Sequence, residues 1–371
     1  MPDDQITSDF EPEAPKSPRV AVIASRRTVS EFLFYLKYLL VGLADESVPV
    51  ALISPPGGEA DSIIPPAVEV IRHPAIDVPL LERYNRRLLL NRLDKFQPDV
   101  LHCLCETSAA LARWLARHLD VPYLLNVHSI SRHWHPILLS ATRCAGIISP
   151  AKTIVESFSA AHPKFADRVY QINAGSFVDD STACFAHPDR LTGIVVAPPP
   201  DNPGDLGALF HTFHRLSVEN RQFIVALVST GQGEKEIRKQ LKSLGLSRIV
   251  TTVPRLAALY PAFSAADIFI VPRPSFSFNP LMLAAMGAGS AVVAPKGGVD
   301  DLVIEGKTAT TFDPDDQLSI YNCLRHLFDR PDEARQIAAA AQQHLRQNHH
   351  VSDMVGSTLQ LYRRARLGEG A

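Results

Sequence analysis

Residues Ala266–Asp316 read ADIFIVPRPSFSFNPLMLAAMGAGSAVVAPKGGVDDLVIEGKTATTFDPDD, and this stretch decides the fold. Two short apolar runs, Ile268–Val271 and Ala291–Ala294, have the unbroken hydrophobic character of strands buried on both faces of a parallel sheet. Between them the spacing predicts a short helix. Asn279 is placed to cap it, and Pro280 suits the first helical position, where no backbone N–H is needed. Gly287 and Gly289 end it. Each strand runs into a turn, Pro272–Ser277 after the first and Lys296–Gly298 after the second. In open parallel sheets, ligands sit outside the carboxyl ends of the strands. The unit is therefore expected to turn the amides of Leu281 and Met282, and the Gly297-Gly298 turn, toward one crevice. Both features suit an anion such as phosphate.

The stretch resembles the nucleotide-sugar site of family-4 (group 1) retaining glycosyltransferases. Their pattern is roughly P-S-x-x-E-G-F-G-x-x-x-L-E-A-M-A-x-G-x-P-V-V-A-x-x-x-G-G-x-x-E-x-V-x-D-G-x-T-G. Among its positions this chain keeps Pro274, Ser275, Phe278, Leu283, Ala285, Met286, Gly289, Val292, Val293, Ala294, Gly297, Gly298, Val303, Gly306 and Thr308. The resemblance implies a GT-B fold, an α/β architecture of two facing Rossmann-like, doubly wound domains with parallel sheets. It also implies a nucleotide-diphosphate sugar of UDP or GDP type as donor, no permanently bound cofactor and no metal. The acceptor would be a glycan, lipid or small molecule, and the outcome retention at the anomeric carbon.

The chain departs from the family where the chemistry is done. Phe276 stands at the first motif glutamate and Ala284 at the second. The family holds the diphosphate with an arginine and a lysine in the loop after the first strand of its second domain. Here that loop reads VAPPPDNPG, with Pro198 and Pro203 at those places, and proline supplies neither charge nor N–H. Two cations and two carboxylates are thus missing from one site. The alternative is a non-catalytic relative that binds a nucleotide, a sugar or a partner protein.

Working outward, the preceding residues alternate strand and helix. Strands are expected at Arg19–Ser25, Val48–Ser54, Val68–Arg72, from Pro98, at Pro122–Val127, Cys144–Ser149 and Val169–Ile172. Helices are expected from a capping box at Thr28–Glu31 to about Asp45, then at Leu80–Phe96, Ser108–Leu119 and Ala151–Ala160. KFQPDVLHCLCETSAALARWLARHLDVPYLLNVHS, CAGIISPAKTIVESF and RVYQINAGSFVD resemble the family's first domain. After the stretch Asp179–Arg190, which lacks apolar periodicity, strands are expected at Leu191–Ala197, Gln222–Ser229 and Ile249–Val253. Gly231-x-Gly233 reads as a strand-to-helix turn, since no third glycine completes a dinucleotide fingerprint. Terminal helices are expected at Leu318–Asp329, Pro331–Gln347 and Ser352–Arg366. The expected organisation is a disordered tail over 1–17, an acceptor-side domain over 18–180, a linker over 181–190 and a donor-side domain over 191–350. The final helix, 351–371, crosses back to the first domain.

Composition limits the alternatives. The 371 residues are 46% apolar and 20% charged, enough for two ordinary domains. The net charge of -2 gives no general attraction to nucleic acid. No apolar run approaches the ~20 residues needed to span a bilayer, although peripheral contact with a membrane is compatible with the sequence. The acidic, proline-rich start, without a positive charge cluster or apolar segment, is not expected to act as a signal peptide. Five scattered cysteines fit a reducing cytoplasm, with Cys103 and Cys105 as buried free thiols.

Candidate site residues follow from position. Arg273, Ser275, Ser277, Asn279, Leu281, Met282, Lys296, Gly297 and Gly298 are expected on the donor side. Arg26, Arg27 and Thr28 are expected on the acceptor side. Arg273 and Lys296, with Arg26 and Arg27, are new cations at strand ends that would rebuild an anion site; the competing reading is solvated loop charge. His128, at the family's "vHg" histidine, is the one catalytic candidate, able to donate a hydrogen bond or move a proton. His133 and His135 read as surface or cleft-lining residues. The aspartate pairs at 179–180, 300–301 and 315–316 read as loop and helix-cap residues, as does Glu305.

Overall fold

The computed structural model describes residues 17–56, 61, 63–73, 82–130, 137–187, 189–199, 201, 204, 206–229, 233–254, 260–299 and 301–368. The first sheet has seven parallel strands: β1 (Val20–Ile23), β2 (Val50–Ser54), β3 (Glu69–Arg72), β4 (Val100–Cys103), β5 (Tyr123–Asn126), β6 (Cys144–Ser149) and β7 (Val169–Gln171). Their order is β3-β2-β1-β4-β5-β6-β7. Helices α1 (Arg26–Glu31), α2 (Leu33–Asp45), α3 (Glu82–Phe96), α4 (Ala109–Leu119) and α5 (Lys152–Ala161) cover it. The second sheet has β8 (Thr192–Val196), β9 (Phe223–Val228), β10 (Val250–Val253), β11 (Ile268–Ile270), β12 (Ala291–Pro295) and β13 (Thr310–Phe312), in the order β10-β9-β8-β11-β12-β13. With it go α6 (Gly207–Val218), α7 (Glu234–Ser243), α8 (Tyr260–Ser264), α9 (Pro280–Gly287), α10 (Gln317–Asp329), α11 (Pro331–Asn348) and α12 (Val351–Leu367).

Both sheets reverse direction at their first strand, between β1 and β4 and between β8 and β11. Such switch points open a crevice at the carboxyl ends of the strands. β1, β2, β4 and β12 are buried along their whole length, as their apolar runs predict.

The predicted entry into the first helix needs correction. Ser25, not Thr28, is the N-cap: its Oγ accepts from the Thr28 amide, and Thr28 Oγ1 accepts from the Ser25 amide. Two overlapping capping signals compete here, and the earlier one prevails. The helix is then interrupted at Phe32. Helix α6 and strand β13 were not foreseen; β13 spans only three residues, too few to show a period. Residues 1–16, His133, His135, Pro203, Gly231 and Asp300 lie outside the described residues.

Helix α9 joins the two halves. All eight of its residues are buried. A helix apolar on every side needs packing on every side. It lies against α2 of the first half and α8 and α11 of the second. Helix α12 packs on α2, where a Cβ on Gly42 would stand 2.3 Å from Val355 Cγ2. Only the missing side chain permits that approach.

Near the carboxyl ends of β4 and β5, α12 completes a buried polar chain. His102 Nδ1 is 2.6 Å from the Tyr362 hydroxyl, and His102 Nε2 is 2.7 Å from Asn126 Oδ1. Asn126 Nδ2 donates to the Tyr35 hydroxyl at 2.7 Å. Since Asn126 Oδ1 only accepts, Nε2 carries the ring proton and Nδ1 accepts from Tyr362. Burial lowers the His102 pKa to about 4, so the ring is neutral. Replacing Tyr362 by phenylalanine leaves the buried Nδ1 without a donor. Urea unfolding of Tyr362→Phe is expected to show a loss of about 1–3 kcal/mol with an unchanged m-value.

Candidate functional site

The loop after β5 meets the β11 loop at the second sheet's switch point. A short antiparallel bridge joins Ser129 to Ser277. The Ile130 amide donates to the Phe276 carbonyl and the Phe278 amide to the His128 carbonyl, both at 2.8 Å. The cleft between the sheets is therefore laced by main-chain hydrogen bonds at this point.

Arg27 reinforces the seam. Its guanidinium donates from Nε to Glu31 (2.9 Å), from Nη1 to Glu106 (2.8 Å) and from Nη2 to Ser277 Oγ (3.0 Å). Burial disfavours the charge, but Glu106 and Glu31 outweigh it and raise the pKa further. Glu106 was not singled out in the sequence. Its carboxylate also accepts from Ser129 Oγ at 2.5 Å and from the His128 amide at 3.4 Å. Burial pushes the Glu106 pKa up, while His128, Arg27 and the Ser129 hydroxyl more than reverse this. The His128 ring is itself neutral near pH 7, so Arg27 does the holding there.

His128 is buried, stacked on Phe32 at 4.1 Å, with Tyr35 edge-on at 5.5 Å. Nε2 donates to the Leu104 carbonyl at 3.0 Å, and Nδ1 is buried with no partner. The free ring nitrogen is thus an acceptor, and the ring's one donor is used on the Leu104 carbonyl. Burial, only partly offset by Glu106, lowers the pKa to about 4.

On the second sheet, the β8 loop carries an acid where the family has cations. Asp201 Oδ2 accepts from the Phe276 amide at 2.7 Å, and Oδ1 lies 3.2 Å from Ser275 Oγ. This carboxylate closes the β8–β11 switch point onto Ser275–Ser277. Asn279 caps α9 as expected, but its Oδ1 occupies the amides of Leu281 and Met282 at 3.1 and 3.3 Å. Both residues are buried, so these amides do not stand open to a ligand. Lys296 is exposed and pairs with Glu305 at 3.4 Å. Gly298, at φ +86°, is required because a Cβ would meet the Ser275 carbonyl at 2.2 Å. Gly297, at φ +90°, has nothing within 4 Å of that position.

Arg273 sits differently. Its guanidinium lies so close to Gly204 that a Cβ there would be 2.4 Å from Nε, and this Nε is buried without a partner among the described residues. A cation from the β11 loop thus occupies the neighbourhood of the β8 loop. On the other side of the cleft, Thr28 is fully buried and its hydroxyl is used in the cap of α1, so it offers nothing to an acceptor. Arg26 is exposed. Cys103 and Cys105 are buried free thiols whose pKa values burial raises.

A third tie crosses the cleft. Helix α5 has no side-chain cap of its own at Ala151. Asp301, from the second half, supplies it: Oδ1 accepts from the Lys152 amide at 2.6 Å and Oδ2 from Thr153 Oγ1 at 2.8 Å. Asp301→Ala is expected to cost about 0.5–2 kcal/mol by urea unfolding, with loss of amide-exchange protection at Lys152 and Thr153. The buried histidines predict acid sensitivity. His102 and His128 have folded pKa values of about 4, below the ~6.5 of an unfolded histidine, so the unfolded chain binds more protons between those values. Their contribution is complete above pH ~6.5 and lost as pH falls toward 4, by up to about 1.4 kcal/mol per pH unit for each ring. In His128→Asn, the slope of unfolding free energy against pH over this window should fall by about one proton.

A family model described as group 1 glycosyl transferases matches residues 202–330, and one described as a glycosyl transferase 4-like domain matches residues 34–174. The sulfoquinovosyl transferase SQD2 of Arabidopsis thaliana is 25% identical over 281 residues, 68% of this chain and 54% of that protein. The chain thus spans about half the length of this curated relative. Among solved structures, Anabaena Alr3699/HepE in complex with UDP and glucose matches with a TM-score of 0.73 at 16% identity, over 92% of this chain and 98% of that one. Sucrose-phosphate synthase from Thermosynechococcus elongatus matches at 0.71 and 18% identity, over 94% and 98%. These two likenesses are of fold. Taken with the two family matches, one on each half, they make the chain a member of the group 1 glycosyltransferases, built on the GT-B fold.

Proposed function

We propose that the protein transfers a glycosyl unit from a nucleotide-diphosphate sugar to a hydroxyl-bearing acceptor across the cleft between its sheets. One observation carries this reading. Two switch-point crevices face each other, and an arginine guanidinium, Arg273, stands beside Gly204 of the β8 loop with a buried Nε that has no partner among the described residues. In the reaction the anomeric carbon leaves the diphosphate and bonds to the acceptor oxygen, with retention, and the acceptor proton is released. The charge left on the phosphates needs preorganised donors. Arg273 supplies one, and Lys296 a further charge once it leaves Glu305. A UDP-type donor is the first to test, since the Anabaena neighbour was crystallised with UDP and glucose. Action in the cytoplasm fits the five unpaired thiols. No helix among the described residues is long and apolar enough to cross a membrane.

Asp201 favours a second reading. Its carboxylate holds the very loop that a diphosphate would approach, and like charges repel. With both motif glutamates replaced, the protein would then bind a nucleotide, a sugar or a partner without turnover. Thermal shift with UDP, GDP, ADP and their sugars, followed by release of diphosphate, separates the two. Arg273→Ala should weaken nucleotide-diphosphate binding at least tenfold, and Asp201→Asn should tighten it. Turnover of any donor rules out the second reading; binding without turnover rules out the first.

A further inference from the structure

The first sheet carries a cavity of about 330 Å³ at the carboxyl ends of β1 and β2. That is near the lower limit of small-molecule sites. Its polar wall is Ser25, Arg26, Ser54, His73, Thr107 and Ser108, over an apolar floor from β1, β2 and α4, and among the described residues no carboxylate lines it. Arg27 also reaches it, but its guanidinium is committed to Glu31, Glu106 and Ser277. Arg26 is exposed and forms no ion pair among the described residues. His73 is 7% exposed, and its Nε2 is buried with no hydrogen-bond partner. Among the described residues the wall therefore presents one available cation, several hydroxyls and an unsatisfied ring nitrogen, with no carboxylate to compensate.

The surroundings have the same sign. Helix α4 begins at the cavity, where Ser108 and Leu111 line it, and its outer face exposes Arg113 and Arg117. The neighbouring α3 exposes Arg87, Arg92 and Lys95 against Asp94. Among the side chains described as exposed, these two adjacent helices carry five Arg or Lys and one carboxylate, in a chain whose net charge is -2. A concave site walled by one sign of charge concentrates ligands of the other.

We infer that this cavity takes a phosphate-bearing hydroxyl compound, with Arg26 and His73 on the phosphate, so that the acceptor is an anionic phosphoester. The word acceptor rests on the transferase reading; the phosphate site does not, because it lies on the opposite sheet from Arg273. The phosphate comes either from a soluble phosphoester or from a phospholipid headgroup presented at a surface.

Calorimetry with glycerol 1-phosphate, with glycerol as the uncharged control, tests the soluble source. Co-sedimentation with phosphatidylglycerol vesicles, against phosphatidylcholine vesicles, tests the lipid source. The expected result is binding of the anionic probe in at least one arm, weakened at least tenfold in Arg26→Ala and also in His73→Gln, and unchanged in Arg273→Ala. Circular dichroism and an unchanged urea midpoint show that each variant is folded. Binding of glycerol 1-phosphate supports the soluble source, and binding confined to phosphatidylglycerol vesicles supports the lipid source. No anionic binding in either arm overturns the inference, as does binding lost in Arg273→Ala but kept in Arg26→Ala. If donor turnover fails while the Arg26-dependent binding persists, the transferase reading falls and the phosphate site stands.

Discussion

One guanidinium organises the meeting of the two halves. Arg27 spends its donors on three acceptors, two carboxylates of its own half and a hydroxyl of the other. A lysine could not do this, because a compact ammonium lacks the rigid fork that reaches three directions at once. The planar group fixes Glu106, Glu106 fixes Ser129, and Ser129 lies in the bridge that carries the β11 loop across the cleft. The neutral, stacked ring of His128 occupies the dry space behind. The ion pair thus sets the geometry of a seam whose other bonds are main chain.

The second half shows what happens when a site's charges are exchanged. Where relatives place cations after the first strand, this chain places Asp201, and the serine-rich loop answers with an amide and hydroxyls. The cation that remains nearby, Arg273, comes from the neighbouring loop and lies against Gly204. Charge has been redistributed between two adjacent loops, one negative and one positive. Ligand affinity at this crevice is therefore a contest between them. The same crevice is built on α9, which contributes apolar bulk and a fully satisfied cap, not open amides.

Much of the architecture was legible because buried parallel strands need continuous apolar runs. Cys144–Ser149 is a strand over all of its predicted residues, and the cap at Asn279 and the proline after it were plain. Thr310–Phe312 was not, because three residues carry no period. The break at Phe32 was hidden by two capping signals three residues apart. The site was harder to read than the fold. Glu106 meets Arg27 across 79 positions, and Asp201 meets Ser275 across 74. Nothing in Cys105-Glu106-Thr107 distinguishes that carboxylate from a solvated one until the β4 loop is set beside the β1 loop. Local sequence reveals partners a few residues apart; long-range pairs emerge only from topology.

The trans cap on α5 bears on how the chain is made. A helix in the first half has its amino end completed by an aspartate 149 residues later. During synthesis the first sheet can assemble while that end remains frayed. It is finished only when the second sheet has emerged and swung into place. The order of translation is thereby written into the structure: the early half waits, slightly unfinished, for the late half to close it.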